Sequence, residues 1–345
     1  MVTLKQLAEL CGVSRGTVDR VVNNRGKVKP EKAEMIRRMA KKLNYQPNPV
    51  GKALIASRKN LSAAIVIPSV GIAFFDDVIA ALEKAADKYE LFGLTVKWYL
   101  SRGYEVEEQL RVLEELPPST NALIINPIND PRIIAKLQEL QENGIFVVTL
   151  NNDVEQIGHH HYVGPDYYNG GQTAGALMKI LNGQPHIFGV TLGSRQLLGH
   201  QQRLKGFEDA IKTIPDAEIA AVWEDNDDDI QAYENTRAML TAHPEIEAVF
   251  LASSGGAYGT CRAICSLHRE NDLWVIAFDS TKPIIEMMEK GIINAVLYQH
   301  PNQQGNRAMQ IVYDYLFSGL LPDHEQHIVQ NEIRLLPNLV RPIKP

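Results

Sequence analysis

The chain has 345 residues, of which 45% are hydrophobic and 22% charged, as in a soluble globular protein of two or three domains. Its net charge of −6 is divided unevenly: residues 1–60 carry 14 Lys or Arg and 4 Asp or Glu, and residues 61–345 carry the remaining 21 and 37. No apolar run approaches the roughly 20 residues that span a bilayer, and the opening "MVTLKQLAEL" lacks the apolar core of a signal peptide, so we expect a cytoplasmic protein. A basic head on an acidic body predicts a polyanion-binding module joined to a domain with another task, with a merely solvated basic face as the alternative.

The amino-terminal segment is predicted to form three short helices. Thr3 caps the first helix, and Gly12 ends it where a tight turn needs a positive φ. Ser14 caps a second helix, "RGTVDRVV", whose valines face inward, and a third helix opens at Pro30. A helix, a glycine turn and a short helix with exposed arginines form a helix-turn-helix, whose second helix enters the DNA major groove.

Side chains on the second helix are the candidates for contacting DNA. Arginine can donate two hydrogen bonds to guanine, so we assign Arg15 and Arg20 to base edges, and Gly16 lets the backbone come close. Contacts to phosphates set the register and supply salt-dependent affinity. The residues assigned to phosphates are Thr17, Asn23, Arg25, Lys27 and Lys29.

Residues 47–60 are predicted to be a hinge. Pro47 and Pro49 prevent the third helix from continuing, and "VGKALIAS" is too short to be a stable helix alone. Leu54 in so basic a segment is explained if it wedges between base steps in the minor groove while the segment folds on DNA. Docking of Leu54 on the body is the alternative.

The head and hinge resemble the LacI/GalR (lactose-repressor) family of transcription regulators. The stretches that carry the resemblance are "VTLKQLAELCGVSRGTVDRVVNNRGKV" and "NYQPNPVGKAL". The resemblance implies a small all-α helix-turn-helix DNA-binding domain over residues 1–46, with base reading by Arg15, Gly16 and Arg20. It also implies that Leu54 inserts into the minor groove with Lys52 beside it.

From residue 61 onward, short apolar runs alternate with amphipathic helical stretches. Nine runs are strand candidates, from "SAAIVIP" (62–68) to "INAVLYQ" (293–299). Continuous apolar strands separated by helices indicate parallel sheets covered on both faces. We therefore expect an α/β ligand-binding and dimerisation domain, residues 61–340, of two Rossmann-like subdomains with a cleft between them. The expected division is about 61–163 with 293–325, and about 164–292 with 326–340.

Polar and aromatic residues at the ends of the predicted strands are the candidates for binding a ligand. Amides, a carboxylate, an arginine and aromatic rings converging on one cleft suit a hydroxyl-rich ligand, because hydroxyl groups both donate and accept hydrogen bonds. Any one of these residues could instead belong to a turn or a cap; the run Asp279-Ser280-Thr281, for example, could cap the helix that follows it. The nine candidates are Phe74, Phe75, Asn126, Asn151, Asn152, Arg203, Ser253, Asp279 and Gln299.

Residues 61 to about 335 resemble the periplasmic-binding-protein fold of type I, especially its ribose-binding branch. Stretches that carry the resemblance include "LIINPIND", "YVGPDYYNGGQTAG", "RLKGF" and "YQHPNQQG". The resemblance implies that six candidates keep ribose-type contact residues: Phe74, Phe75, Asn126, Arg203, Asp279 and Gln299. Asn151-Asn152 replaces an Asp-Arg pair, Ser253 replaces an Asn, and Asp227 falls near an expected aromatic residue. We therefore expect a sugar or sugar derivative other than ribose.

Other chemistry has little support in the sequence. "GGQTAGAL" (170–177) has P-loop spacing but lacks the required Lys and Ser or Thr, so nucleotide hydrolysis is not expected. The acidic run from Asp225 departs from a calcium loop, and the adjacent side chains of "HHH" (159–161) cannot easily converge on one ion. Cys261 and Cys265 share a helix face, where core packing is favoured over redox or metal chemistry. We expect no catalytic residues, no metal and no cofactor.

Together, these patterns predict a sequence-specific DNA-binding transcription regulator, a repressor, controlled by a small sugar or sugar-derived effector in the cleft. Two chains would pair through the body as a homodimer and place two heads on a palindromic operator. An effector that closes the cleft would rotate one subdomain over the other and shift the hinges. The alternatives are a sugar-binding protein without a regulatory role and a sugar-metabolising enzyme.

Overall fold

The computed structural model describes residues 2–22, 28–43, 45, 60–155, 157–181 and 183–339. Within these residues the chain forms a helical head and an α/β body with two six-stranded sheets, which confirms the predicted fold class. Nearly all of the predicted hinge lies outside the described residues. So do five positions assigned to DNA, namely Asn23, Arg25, Lys27, Lys52 and Leu54.

The head contains α1 (Leu4–Leu10), α2 (Arg15–Val22) and α3 (Pro30–Lys42). The predicted cap of α1 is confirmed, because the Thr3 hydroxyl accepts from the backbone N–H of Gln6 at 3.2 Å and the Gln6 side chain accepts from the backbone N–H of Thr3 at 2.9 Å. Gly12 has the expected positive φ of 61°. Ser14 Oγ accepts from the backbone N–H of Thr17 at 3.1 Å, as its predicted capping role requires.

The first lobe of the body is built on a wholly parallel sheet in the order β11-β5-β4-β3-β1-β2. All seven residues of β1 are buried, because successive side chains point into two separate cores, one on each face of the sheet. Helices α4 and α12 cover one face, and α5 and α6 cover the other. The strands are β1 (Leu61–Ile67), β2 (Leu94–Leu100), β3 (Ala122–Ile125), β4 (Phe146–Leu150), β5 (His161–Gly164) and β11 (Gln326–Ile328); the helices are α4 (Ala73–Glu90), α5 (Val106–Glu114), α6 (Pro131–Glu142) and α12 (Pro301–Ser318).

The second lobe repeats this plan with the strand order β12-β10-β9-β8-β6-β7, in which only β12 is antiparallel to its neighbour. Helices α7 and α8 pack on one face of the sheet, and α9, α10 and α11 pack on the other. The strands are β6 (Ile187–Leu192), β7 (Glu218–Glu224), β8 (Ala248–Leu251), β9 (Trp274–Phe278), β10 (Ala295–Tyr298) and β12 (Glu332–Arg334); the helices are α7 (Tyr167–Ile180), α8 (Leu198–Ile211), α9 (Asp229–Ala242), α10 (Ala257–Ser266), α11 (Lys282–Glu289) and α13 (Leu336–Leu339).

Glycines allow α7 and α8 to pack closely. A Cβ atom at Gly171 would lie 2.0 Å from the backbone oxygen of Arg203, and one at Gly206 would lie 2.0 Å from that of Tyr168. Neither backbone oxygen can move without disturbing its helix. The close approach therefore fixes the position of Arg203, which points towards the cleft.

The division of the chain between the lobes differs from the prediction near the carboxyl end. β10 pairs with β9 in the second sheet, although residues 293–325 were assigned to the first subdomain. β11 pairs with β5 in the first sheet, although residues 326–340 were assigned to the second. An apolar run specifies a buried strand but not its neighbour, and here the chain crosses between the lobes after β10 rather than before it.

Candidate functional site

A small cavity lies between the two lobes, beside the carboxyl ends of the strands. Its volume of about 20 Å³ is far smaller than that of a small-molecule site, so the lobes are closed tightly around it. Seven of the nine residues predicted from the sequence line it: Phe74, Phe75, Asn151, Asn152, Arg203, Ser253 and Gln299. The structure therefore brings together side chains that are far apart in the chain.

The other two candidates, Asn126 and Asp279, lie just behind the cavity wall. Asn126 is fully buried, and its Nδ2 donates to the backbone oxygen of Leu150 at 3.1 Å. Its Oδ1 has no hydrogen-bond partner among the described residues. Asp279 is joined to the lining residues Gln299, which donates from Nε2 to its carboxylate at 2.7 Å, and Ser254 by hydrogen bonds.

Arg203 is the central cation of the cleft. Its guanidinium carbon lies 3.5 Å from the ring centroid of Phe278 and 4.4 Å from that of Tyr167. One terminal nitrogen donates to the backbone oxygen of Ala252 at 2.7 Å, and the other donates to the side-chain oxygen of Gln299. Burial lowers the pKa of Arg203, but an arginine so placed stays charged. Its orientation is fixed by stacking as well as by hydrogen bonds.

Asp279 is a buried carboxyl whose charge is only partly compensated. Its two oxygens accept from the Gln299 side chain and from the Gln299 backbone N–H, the latter at 3.3 Å. Burial raises the pKa of Asp279 to about 6, against the opposing influence of Arg203 and of the Gln299 hydrogen bonds. Of the run Asp279-Ser280-Thr281, Thr281 occupies the N-cap position of α11, without a side-chain capping hydrogen bond, and Asp279 lies outside the cap.

The paired amides Asn151 and Asn152 join the lobes. The side-chain oxygen of Asn151 accepts from the hydroxyl of Tyr167 at 2.8 Å, and its Nδ2 donates to Gln304 at 3.1 Å. The side-chain oxygen of Asn152 accepts from the backbone N–H of Gly199 at 3.2 Å, in the first turn of α8. The hydrogen bonds of Asn151 to Tyr167 and of Asn152 to Gly199 therefore hold the two lobes together.

Seven further lining residues were not among the predicted ligand contacts: Ile72, Tyr104, Tyr167, Leu197, His200, Asp227 and Ser254. Tyr104 follows β2 and donates from its hydroxyl to the Asp227 carboxylate, which follows β7 in the other lobe. His200 is buried, and burial lowers its pKa to about 4, so the ring is neutral at pH 7. The rule that strand ends supply cleft residues would have selected Tyr104 and Asp227 if it had been applied to β2 and β7.

The second helix of the head presents a polar face. Arg15, Gly16 and Arg20 are exposed on α2, whereas Val18 and Val21 are buried against the other helices. The hydroxyl of Thr17 lies 2.9 Å from Ser14 Oγ, so Thr17 also belongs to the cap of this helix. The arrangement leaves both arginines able to reach a duplex.

The remaining motifs have structural explanations. "GGQTAGAL" lies inside α7 rather than in a loop, and Cys261 is buried in the core of the second lobe. In the "HHH" run, the first histidine pairs with Glu325 and the second with Asp153. Across the described ranges, no group of three or more His, Cys, Asp or Glu is arranged to hold a metal ion. Helices in that same part of the chain are too short or too polar to cross a membrane.

Comparison with known proteins identifies both parts of the chain. The family described as "Bacterial regulatory proteins, lacI family" matches residues 3–48, and the family described as "Periplasmic binding protein domain" matches residues 63–319. The chain belongs to the lacI family of regulators and has a periplasmic binding protein domain as its body. The predicted resemblance is thereby confirmed for this lacI-family protein.

Relatives of this lacI-family protein include both regulators and binding proteins. The D-ribose/D-allose-binding protein of Pseudomonas aeruginosa is 25% identical over 287 residues, covering 79% of this chain and 88% of that protein. The ribose operon repressor of Halalkalibacterium halodurans is 26% identical over 286 residues, covering 81% and 80%. The crystal structure of GanP, a glucose-galactose binding protein from Geobacillus stearothermophilus, has a TM-score of 0.74 with 24% identity and covers 81% and 99%. This last similarity establishes the fold of the body.

Proposed function

We propose that this protein is a DNA-binding transcription regulator, a repressor, whose affinity for its operator is set by a small sugar or sugar derivative bound in the cleft. The observation that carries the proposal is the presence in one chain of a lacI-family head with exposed arginines and of a polar cavity between two lobes. The names of the relatives, a ribose operon repressor and a D-ribose/D-allose-binding protein, support a sugar as the effector.

The chemistry of the cavity supports a hydroxyl-rich ligand. Phe74 and Phe75 form an edge-to-face pair with centroids 5.1 Å apart, and such rings suit the C–H face of a sugar ring. Gln299 joins Arg203 and Asp279 in one hydrogen-bonded row. Donors and acceptors thus alternate along one wall, as the hydroxyl groups of a sugar require.

The head supplies the DNA contacts. Arg15 and Arg20 would read base edges in the major groove, with Gly16 allowing close approach and Thr17 bonding a phosphate. Outside the described residues, the proposed contacts are Asn23 and Arg25 to phosphates and Lys52 and Leu54 to the minor groove. A homodimer would place two heads on a palindromic operator in the cytoplasm.

In this proposal, closure of the cleft links ligand binding to DNA binding. Among the described residues, four hydrogen bonds join the lobes near the cavity: Tyr104 to Asp227, Tyr167 to Asn151, Gly199 to Asn152, and the backbone N–H of Asn129 to the backbone oxygen of Gln196 at 2.9 Å. A ligand that contacts both lobes binds more tightly when the lobes are close together, so it shifts the population towards a closed state. The closed state would hold the two hinges at a different spacing. A coupling free energy of about 1–3 kcal/mol is typical of such linkage.

The experiment that tests the proposal begins with selection of a preferred duplex from a random pool, using the full chain. Affinity for that duplex is then measured by fluorescence anisotropy with and without each of a series of sugars. We expect at least one sugar to change the affinity by roughly 5- to 150-fold. A solute-binding protein without a regulatory role would bind a sugar but select no duplex.

A further inference from the structure

The carboxylate of Asp227 is held in the cleft by hydrogen bonds from both lobes. Its Oδ1 accepts from the Ser253 hydroxyl of the second lobe, and its Oδ2 accepts from the Tyr104 hydroxyl of the first lobe. Its backbone N–H donates to Asp225 at 2.9 Å. Each carboxylate oxygen keeps further acceptor capacity, because an ionised carboxylate offers about four lone-pair sites. The side chain of Asp227 therefore both bridges the lobes and lines the cavity.

The space around this carboxylate is shaped by two glycines that follow strands of the second sheet. A Cβ atom at Gly193 would lie 2.4 Å from Asp227 Oδ1, and one at Gly255 would lie 2.3 Å from Asp227 Cβ. Any larger residue at either position would displace the acid. The neighbouring strand ends are thus fitted to Asp227, which makes it a built part of the cleft rather than an incidental surface acid.

The charge balance of the cleft is unfavourable for an anion. Among the described lining residues and the side chains hydrogen-bonded to them, Asp225, Asp227 and Asp279 are acidic and Arg203 is the only Lys or Arg. His200 is neutral at pH 7 because burial lowers its pKa to about 4. The terminal nitrogens of Arg203 donate to Ala252 and Gln299, and its Nε has no hydrogen-bond partner among the described residues. The single charge of Arg203 is outnumbered by the acids, so a phosphate or carboxylate beside Asp227 would meet a negative field without a second cation to offset it.

We propose that Asp227 is a specificity-determining residue of the cleft, and that it restricts the effector to an uncharged sugar or polyol by excluding sugar phosphates and sugar acids. The inference rests on the proposed function and names the chemical class of its ligand. A hydroxyl of the effector donates to the Asp227 carboxylate beside Tyr104 and Ser253. An anionic analogue cannot make this contact without placing two negative charges together.

The test compares the wild type with Asp227→Asn, which removes the charge and keeps both the shape and the ability to adopt the φ of 56°. Asp216→Asn is the matched control, because Asp216 has the same φ of 56° but is exposed. The probes are the common aldopentoses, aldohexoses and inositols, each with its phosphate and, for the aldoses, the aldonic acid. Binding to the full chain is measured by calorimetry without DNA.

We expect the wild type and Asp216→Asn to bind only uncharged probes. Asp227→Asn should bind the same probe about tenfold more weakly, through loss of a charged acceptor, and its discrimination against the matching phosphate or acid should fall at least tenfold. Tyr104→Phe should weaken binding but keep the discrimination, since the carboxylate remains. This difference separates the charge of Asp227 from its role in joining the lobes.

Two results would overturn the inference while leaving the proposed function intact: a phosphate or acid as the best ligand of the wild type, or unchanged discrimination in Asp227→Asn. If no probe binds the wild type or alters its affinity for the selected duplex, the proposed function fails and the inference fails with it.

Discussion

Substitution of Asp279 by asparagine tests whether burial dominates the electrostatics of the cleft. Asp279 is buried and lies in the left-handed region at φ 65°, a conformation that asparagine tolerates. The substitution keeps a side-chain oxygen for Gln299 but removes a group that titrates. Any dependence of stability on pH that differs between the two proteins is therefore due to this carboxyl.

The sign and size of the expected pH dependence follow from the pKa of Asp279. Burial raises the pKa of Asp279 from 3.8 to about 6, so the folded state disfavours the ionised form by about 3 kcal/mol. Because the folded pKa is the higher one, the native state holds the proton more tightly, and the stability present below pH 4 is lost as the pH rises through 6. Relative to Asp279→Asn, the wild type should lose about 2 kcal/mol of unfolding free energy between pH 4 and pH 7.

Urea unfolding of both proteins at several pH values across this window measures the difference directly. The exposed Asp216→Asn variant serves as the control and should follow the wild type throughout. A difference that stays constant with pH would refute the reasoning. A difference of the opposite sign would mean that Arg203, rather than burial, sets the pKa of Asp279.

Three other substitutions test the head, the hinge and the packing of the body. Arg20→Ala should weaken binding to the selected duplex by about 1–3 kcal/mol and relax its base preference, measured by anisotropy; an unchanged affinity contradicts the groove assignment. Leu54→Ala should weaken specific binding more than non-specific binding in the same assay, whereas an equal loss favours docking on the body. Gly171→Ala would place a Cβ atom 2.0 Å from the backbone oxygen of Arg203 and should destabilise the protein by about 1–3 kcal/mol; a thermal midpoint equal to that of the wild type would show that α7 and α8 can separate without loss.

Much of the fold could be predicted because several strands of the body are buried along their whole length. In β1 every residue is buried, so the apolar run is continuous and stands out from the flanking helices. The caps of the head were also predictable, since Thr3 and Gly12 act through local geometry that depends on few neighbours.

The short edge strands β11 and β12 and the lobe crossovers could not be predicted in the same way. β11 and β12 have three residues each and no fully buried side chain, so no periodic pattern marks them. The partner of β10 depends on where the chain crosses between the lobes, which no local pattern records. Tyr104 and Asp227 belong to the site because two loops, 123 residues apart in the chain, come into contact, and no local pattern predicts such a contact.

The most direct measurement of the central claim is the affinity of the full chain for its selected duplex, with and without a sugar that calorimetry shows to bind the cleft. The account predicts tight binding that weakens as salt rises, because basic residues of the head release counterions from the phosphates, and a roughly 5- to 150-fold change in affinity when the sugar is added. A chain that ignores every duplex at low salt, or binds its duplex equally well with the cleft occupied and empty, would contradict it.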